Sequence, residues 1–233
     1  MTYALWYWSE IPGRGEFVRL ALEAGRIPYE DKALARDDVA LMRDRGGRRP
    51  EPFAPPYLVA GDLVIAQVAA ILLYLGESHG LAPADPRGRL LAHQIQLTIA
   101  DCVTEAHDTH HPVAMGAYYE DQIAEAARRA DDFRTERLPK FLGWFERMLA
   151  RSDGPWLLGA DWSYADLSLF QLLDGLRFAF PLRMERLAGG HPRLTALHAA
   201  VAALPVLQPY FKSGRRQPYG DGIFRHYPEL DAA

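Results

Sequence analysis

The chain has 233 residues, 49% of them hydrophobic, and a formal net charge of −4. That length suits two domains with sizeable cores, and the acidic balance gives nucleic acid no electrostatic footing. No apolar run approaches the ~18 residues of a membrane span, the start Met1–Leu5 lacks a basic, apolar signal pattern, and a single cysteine, Cys102, excludes an internal disulfide. Together these features predict a soluble, cytoplasmic protein with neither nucleic acid nor membrane as partner. The abundance of Ala and Arg is that of a GC-rich bacterial genome.

In chain order, the aromatic run at residues 3–8 reads as a strand. A Gly/Pro loop from Ser9 to Gly15 follows. Phe17, Leu20, Ala21 and Ala24 then recur at helical spacing, and Gly25 supplies a stop. Pro28–Ala33 reads as a second strand, Asp38–Arg45 as a short helix, and Arg45–Pro50 as a break. Two β-rich runs around Gly61-Asp62 form a hairpin that starts at Pro56 and leads into a helix opening at Gln67. The order β-α-β-α-β-β-α closes near Gly76.

Leu81-Ala82-Pro83-Ala84-Asp85-Pro86 reads as a linker. Beyond it the periodicity is helical: one long helix over residues 87–116 with a disturbance near Pro112, another over 120–150, and three shorter segments to about 213. The tail from Ser213 is rich in Gly, Pro and aromatics and is expected to pack without regular structure. Ser163-Tyr164-Ala165-Asp166 is a capping box, with Trp162 and Leu167 placed as a hydrophobic staple.

The proline–hairpin–helix unit from Pro55-Pro56 to Gln67-Val68, Leu5-Trp6-Tyr7-Trp8 with Gly13-Arg14 and Val18-Arg19-Leu20, and Gly159–Asp166 resemble the motifs of cytosolic glutathione transferases. The resemblance covers almost the whole chain and is nearest the tyrosine-type members. It implies an α/β plus all-α fold: a thioredoxin-like N-terminal domain over residues 1–80, a linker over 81–86, and an all-helical electrophile-binding domain with an irregular tail over 87–233. It implies an enzyme of detoxification that joins the glutathione thiolate to a small hydrophobic electrophile, with glutathione as co-substrate, no metal, and a homodimeric state.

The same resemblance assigns roles. Pro56 is the cis-proline, and Pro55 before it offers its carbonyl but, as a proline, no N–H. Gln67 makes a polar contact and Val68 a backbone N–H contact to the γ-glutamyl end, although the family's usual hydroxyl at position 68 is replaced by valine. Free N–H groups at a helix start suit that carboxylate. Arg14 follows the first turn, where a basic residue reaches glutathione in some members. Tyr7 is the catalytic hydroxyl that favours the thiolate, the actual nucleophile; the loop after it is one residue longer than the family pattern, and Ser9 is the rival, because serine-type members use a loop hydroxyl there.

His107 and His111 share a helical face. From the residues alone they read as structural or surface groups or, with Asp108 and His110 beside them, as ligands of a metal, which needs three or four convergent groups. The resemblance puts their helix along the electrophile pocket. Pro55 and Val68 leave two alternatives open: a non-catalytic glutathione- or ligand-binding protein on this fold, or a glutathione-dependent reductase or isomerase.

Overall fold

A computed structural model describes residues 2–231. Four short strands form one mixed sheet: β1 (Tyr3–Trp6), β2 (Tyr29–Asp31), β3 (Tyr57–Ala60) and β4 (Leu63–Ala66), in the order β2-β1-β3-β4. β1 and β2 are parallel, joined by the crossover helix α1 (Gly15–Ala24). β3 runs antiparallel to β1, with Trp6 opposite Tyr57, and β3–β4 is a hairpin in which Gly61 takes φ +63° at the turn. Helix α2 (Asp38–Gly47) lies between β2 and β3, and α3 (Val68–His79) follows β4. Leu5, Val18, Leu22, Leu58, Ile71 and Leu72, from strands and helices alike, are fully buried between them.

Everything beyond is helical: α4 (Pro86–Asp108), α5 (Ile123–Asp132), α6 (Leu138–Ala150), α7 (Tyr164–Ala179), α8 (Pro181–Ala188), α9 (Pro192–Ala202) and the single turn α10 (Gln208–Phe211). This is the thioredoxin-like sheet followed by an all-helical half that the sequence predicts. The expected helix over 87–116 is shorter than expected. It ends at Asp108, because Pro112 cannot donate to a ladder and buried Gln122 holds the next ten residues in turns. The Gln122 side chain accepts from the Val113 N–H at 2.9 Å and donates to the carbonyls of Ala114 and Ala117 at 3.1 and 3.2 Å. The expected helix over 120–150 carries a wide π turn at Phe133–Arg137, just before Pro139, which again lacks an N–H.

The two halves meet through α7. Its start is the predicted capping box: the Ser163 N–H and Oγ donate to Asp166 Oδ2 at 2.8 and 2.9 Å, and the Ala165 N–H donates to Ser163 Oγ at 3.3 Å. Asp166 Oδ1 also accepts from the Leu157 N–H at 2.8 Å, which ties the preceding loop to the helix. The Tyr164 N–H then donates to Leu81 O at 2.8 Å, and the Tyr164 ring packs so closely on Gly76 of α3 that a Cβ there would lie 2.8 Å from it. The tail is largely irregular, as expected, but it is integral: Ile223, Phe224 and Leu230 are buried, and Asp231 caps α8 by accepting from the N–H groups of Leu182 and Arg183 at 2.8 and 3.1 Å. Among the described residues no single helix is long and apolar enough to cross a membrane.

Candidate functional site

A cavity of about 700 Å³ opens between the sheet domain and α4, within the size range of small-molecule sites. Arg14, Pro55, Pro56, Gln67 and Val68 all line it. Five residues scattered over 55 positions of sequence thus reach one wall because the ends of β1 and β4 and the starts of α1, β3 and α3 lie at the same edge of the domain.

The Pro55–Pro56 bond is cis, as the resemblance implies; Arg49–Pro50 is a second cis bond that the sequence did not single out. Gln67 is exposed and precedes α3 at φ +68°, a conformation rare outside glycine. Strained backbone of this kind clusters at functional sites. The Gln67 side chain makes no capping bond to its own helix and is free for a ligand. Its carbonyl accepts the first intrahelical bond, from the Ile71 N–H at 2.9 Å, so the N–H groups of Val68, Ala69 and Ala70 point out of the helix start into the cavity wall. Helix start and free donors make an anion site. Val68 itself packs sideways on the core.

Tyr7 lies one residue beyond β1 and is buried. It is not in the cavity wall. It sits behind Gly13-Arg14-Gly15, and its hydroxyl accepts the Arg14 N–H at 2.8 Å. Gly13, at φ +43°, is required there, because any Cβ would run into the Tyr7 hydroxyl. Burial pushes the Tyr7 phenol above its ordinary range, against the lowering effect of the Arg14 hydrogen bond. The group stays neutral, and its own proton has no acceptor among the described residues. Ser9, by contrast, is committed: its N–H and Oγ both donate to the Asp38 carboxylate, at 3.0 and 3.2 Å.

The loop that carries Arg14 is anchored by a residue the sequence reading passed over. Arg19 is fully buried, donates to Pro12 O at 3.2 Å and pairs with Asp31 at 2.6 Å. Burial weakens its charged form, but the carboxylates of Asp31 and Glu16 win, and the guanidinium is held above its usual range. His93 and Gln96 of α4 also line the cavity unannounced. His93 Nδ1 and Gln96 Oε1 are buried atoms without a hydrogen-bond partner. Their signal was three-residue polar spacing on an otherwise apolar helix face. Phe17, Phe53, Leu97, Val103 and Met115 supply the apolar part of the wall.

His107 and His111 do not line the cavity; Val103 and Thr104, one turn earlier on α4, do. The two imidazoles stack at 5.0 Å, with His110 packed 4.8 Å from each. Burial, then neighbouring His110 and Arg14, lower the His107 pKa to about 3, and burial lowers that of His110 to about 4. A second cavity of about 480 Å³ lies on the far side of α1, under the tail. It contains none of the candidate residues, and its charges are spent on one another: Arg216 pairs with Asp174 at 2.9 Å and with Glu16 at 3.4 Å.

A thioredoxin-like sheet with a cis-proline, a helix start facing a cavity, and a long helix closing that cavity match the architecture that the sequence resemblance implies. Residues 107–214 match the family model "Glutathione S-transferase, C-terminal domain". The chain is 30% identical over 222 residues to glutathione S-transferase Mu 2 of Rattus norvegicus, covering 92% of this chain and 93% of that protein. It is 24% identical to a glutathione S-transferase of Plasmodium falciparum, with 91% and 97% covered. The Pi-class glutathione S-transferase of Onchocerca volvulus has the same fold, with TM-score 0.72, 24% identity, and coverage of 94% of this chain and all of that one. Prostaglandin synthase D of Nilaparvata lugens is similar in fold at TM-score 0.73 and 18% identity, with 94% of this chain and 100% of that one covered. The chain belongs to the glutathione S-transferase family.

Proposed function

We propose that the chain is a glutathione transferase that joins the glutathione sulfur to a small hydrophobic electrophile in the cavity between the sheet and α4. The observation that carries the site assignment is the convergence on one wall of cis-Pro56, Gln67 at positive φ and the free N–H groups of α3. The γ-glutamyl carboxylate rests on the Val68–Ala70 donors and the positive end of the helix, with Gln67 giving a side-chain hydrogen bond. The Pro55 carbonyl accepts from the cysteinyl N–H. Arg14 meets the carboxylate at the glycyl end. Buried Gln96 Oε1 offers an acceptor that nothing in the protein uses.

The sulfur approaches at the Arg14 side, where Tyr7 donates its unused proton once the Gly13-Arg14-Gly15 loop in front of its hydroxyl draws back. That hydrogen bond stabilises the thiolate over the thiol. The thiolate attacks an electrophilic carbon, by addition or by displacement of a leaving group, and the cysteinyl proton leaves to solvent. Phe17, Leu97, Val103 and Met115 hold the apolar partner. These steps need no metal. Residues 1–80 hold glutathione, 81–86 join the halves, and 87–233 complete the electrophile wall.

The protein acts as a cytoplasmic homodimer in detoxification. The dimer is supported by exposed apolar side chains beside the cavity: Phe53 at 90%, Leu90 at 67% and Leu97 at 47% exposure. The second reading, a binding protein without turnover, is favoured by the missing N–H of Pro55 and the missing hydroxyl at Val68. A thermal titration with glutathione, followed by turnover with an aryl halide, separates the two. Glutathione at 100 times its dissociation constant stabilises the fold by ~2.7 kcal/mol. A shift with turnover supports the enzyme, a shift without it supports the binding protein, and no shift at millimolar glutathione rejects both.

A further inference from the structure

The turn after α4 gathers a group that the transferase chemistry does not use. His107 lies in the last turn of the helix, and His110 and His111 follow it. One ring nitrogen from each lies within 4.8 Å of the others. Two of the three tautomers are fixed by backbone. The His110 Nε2–H donates to Ile223 O at 3.2 Å, because a carbonyl can only accept. That leaves Nδ1 of this 1%-exposed side chain as a bare lone pair, and the atom has no partner. His111 likewise donates from Nδ1 to Ala117 O at 3.1 Å, leaving the Nε2 lone pair free. The His107 side chain makes no hydrogen bond among the described residues.

We propose that His107, His110 and His111 form a three-imidazole site for a divalent transition cation, with zinc as its best-fitting occupant. Neutral imidazoles whose second nitrogen is held by a backbone carbonyl are the arrangement that orients metal-binding histidines. Imidazole is a ligand for zinc, copper, nickel and iron rather than for calcium or magnesium. A tetrahedral zinc with bonds of ~2.0–2.1 Å needs its nitrogens ~3.3 Å apart. A ring turn about χ2 supplies the contraction, chiefly at His107, whose ring no backbone carbonyl holds and which now stacks on His111 at 20°. Three ligands leave the fourth position to water or an anion. The charges of Arg14 and Arg225 reach His107; they oppose a bare divalent cation at the trio and favour an anion over water as its fourth ligand. Arg14 also lines the main cavity, so the site adjoins the one already described without sharing its residues.

The test uses the full chain without a polyhistidine tag, stripped by chelator and dialysed. Cobalt(II) is titrated in, and the visible bands of tetrahedral cobalt are followed; zinc is then added in competition. The expected result is one equivalent of cobalt with intense visible absorption, displaced by one equivalent of zinc. His107→Gln and His111→Gln each weaken binding by at least about tenfold, and the double variant abolishes the bands. Both positions are only half-buried, so circular dichroism is expected to show folded variants even where a change at buried His110 disrupts the fold. Octahedral-type weak absorption, binding weaker than ~100 μM, or full binding by the double variant overturns the proposal.

Discussion

Asp166 is where the two halves of the molecule are most exposed to a single change. Its carboxylate is fully buried and accepts three hydrogen bonds, from the N–H groups of Leu157 and Ser163 and from the Ser163 hydroxyl. Asp166→Ala leaves two buried backbone donors without an acceptor, and an orphaned buried group costs roughly 1–3 kcal/mol. Loss of the reciprocal cap is part of the same sum, so the total is about 3–5 kcal/mol, a large share of a typical net stability of ~5–15 kcal/mol. The damage propagates, because Tyr164, between Ser163 and Asp166, docks α7 on Leu81 and Gly76. Equilibrium unfolding in urea reads it as a lower midpoint. Asp166→Asn keeps the volume and one acceptor and is expected to fall between the variant and the parent. A midpoint for Asp166→Ala that corresponds to less than ~0.5 kcal/mol refutes the reasoning, since that is the scale of an ordinary surface change.

Other outcomes follow from the site and its surroundings. Val68→Ser adds a hydroxyl at the start of α3 and is expected to tighten glutathione binding by up to about tenfold in calorimetry; weaker binding shows that the valine's packing matters more. Ser9→Ala is expected to leave turnover with an aryl halide unchanged, because the Ser9 hydroxyl is engaged by Asp38. Hydrogen bonds from Arg137, with those from Arg129, hold Glu105 below the ordinary carboxylate range. Below pH ~4.5 the unfolded chain therefore takes up a proton before the folded one, and stability drops as pH falls through the folded pKa. Glu105→Gln should flatten that acid limb in unfolding curves, and an unchanged limb contradicts the ion pair. Phe53→Glu is expected to shift sedimentation from a two-chain to a one-chain particle; a monomeric parent rejects the dimer.

The sheet and the capping box were legible because each rests on local chemistry, aromatic alternation in one case and Ser and Asp three residues apart in the other; the cis-proline followed from the resemblance. Helix ends were less so. Pro112 signals a disturbance but not its place, and the stop at Asp108 is also enforced by Gln122 from beyond the loop. The cavity was half legible. Its sheet-side wall follows motif residues, but His93 and Gln96 became visible only when α4 was placed against α3. Arg19 entered only as part of the Val18-Arg19-Leu20 motif, and its anchoring of the Pro12 carbonyl depends on a loop path that spacing does not encode. Tyr7 was read as facing the ligand, and it stands one layer back, behind Arg14.

That last placement makes the thiol itself the decisive probe. The thiolate absorbance of glutathione bound to the parent, to Tyr7→Phe and to Ser9→Ala can be titrated against pH in the ultraviolet. The account predicts a bound thiol well below the ~8.5 of a free cysteine thiol in the parent and in Ser9→Ala, and a rise of ~1–2 units in Tyr7→Phe with nearly unchanged glutathione affinity. An unshifted thiol in the parent, or a shifted thiol that survives Tyr7→Phe intact, contradicts it.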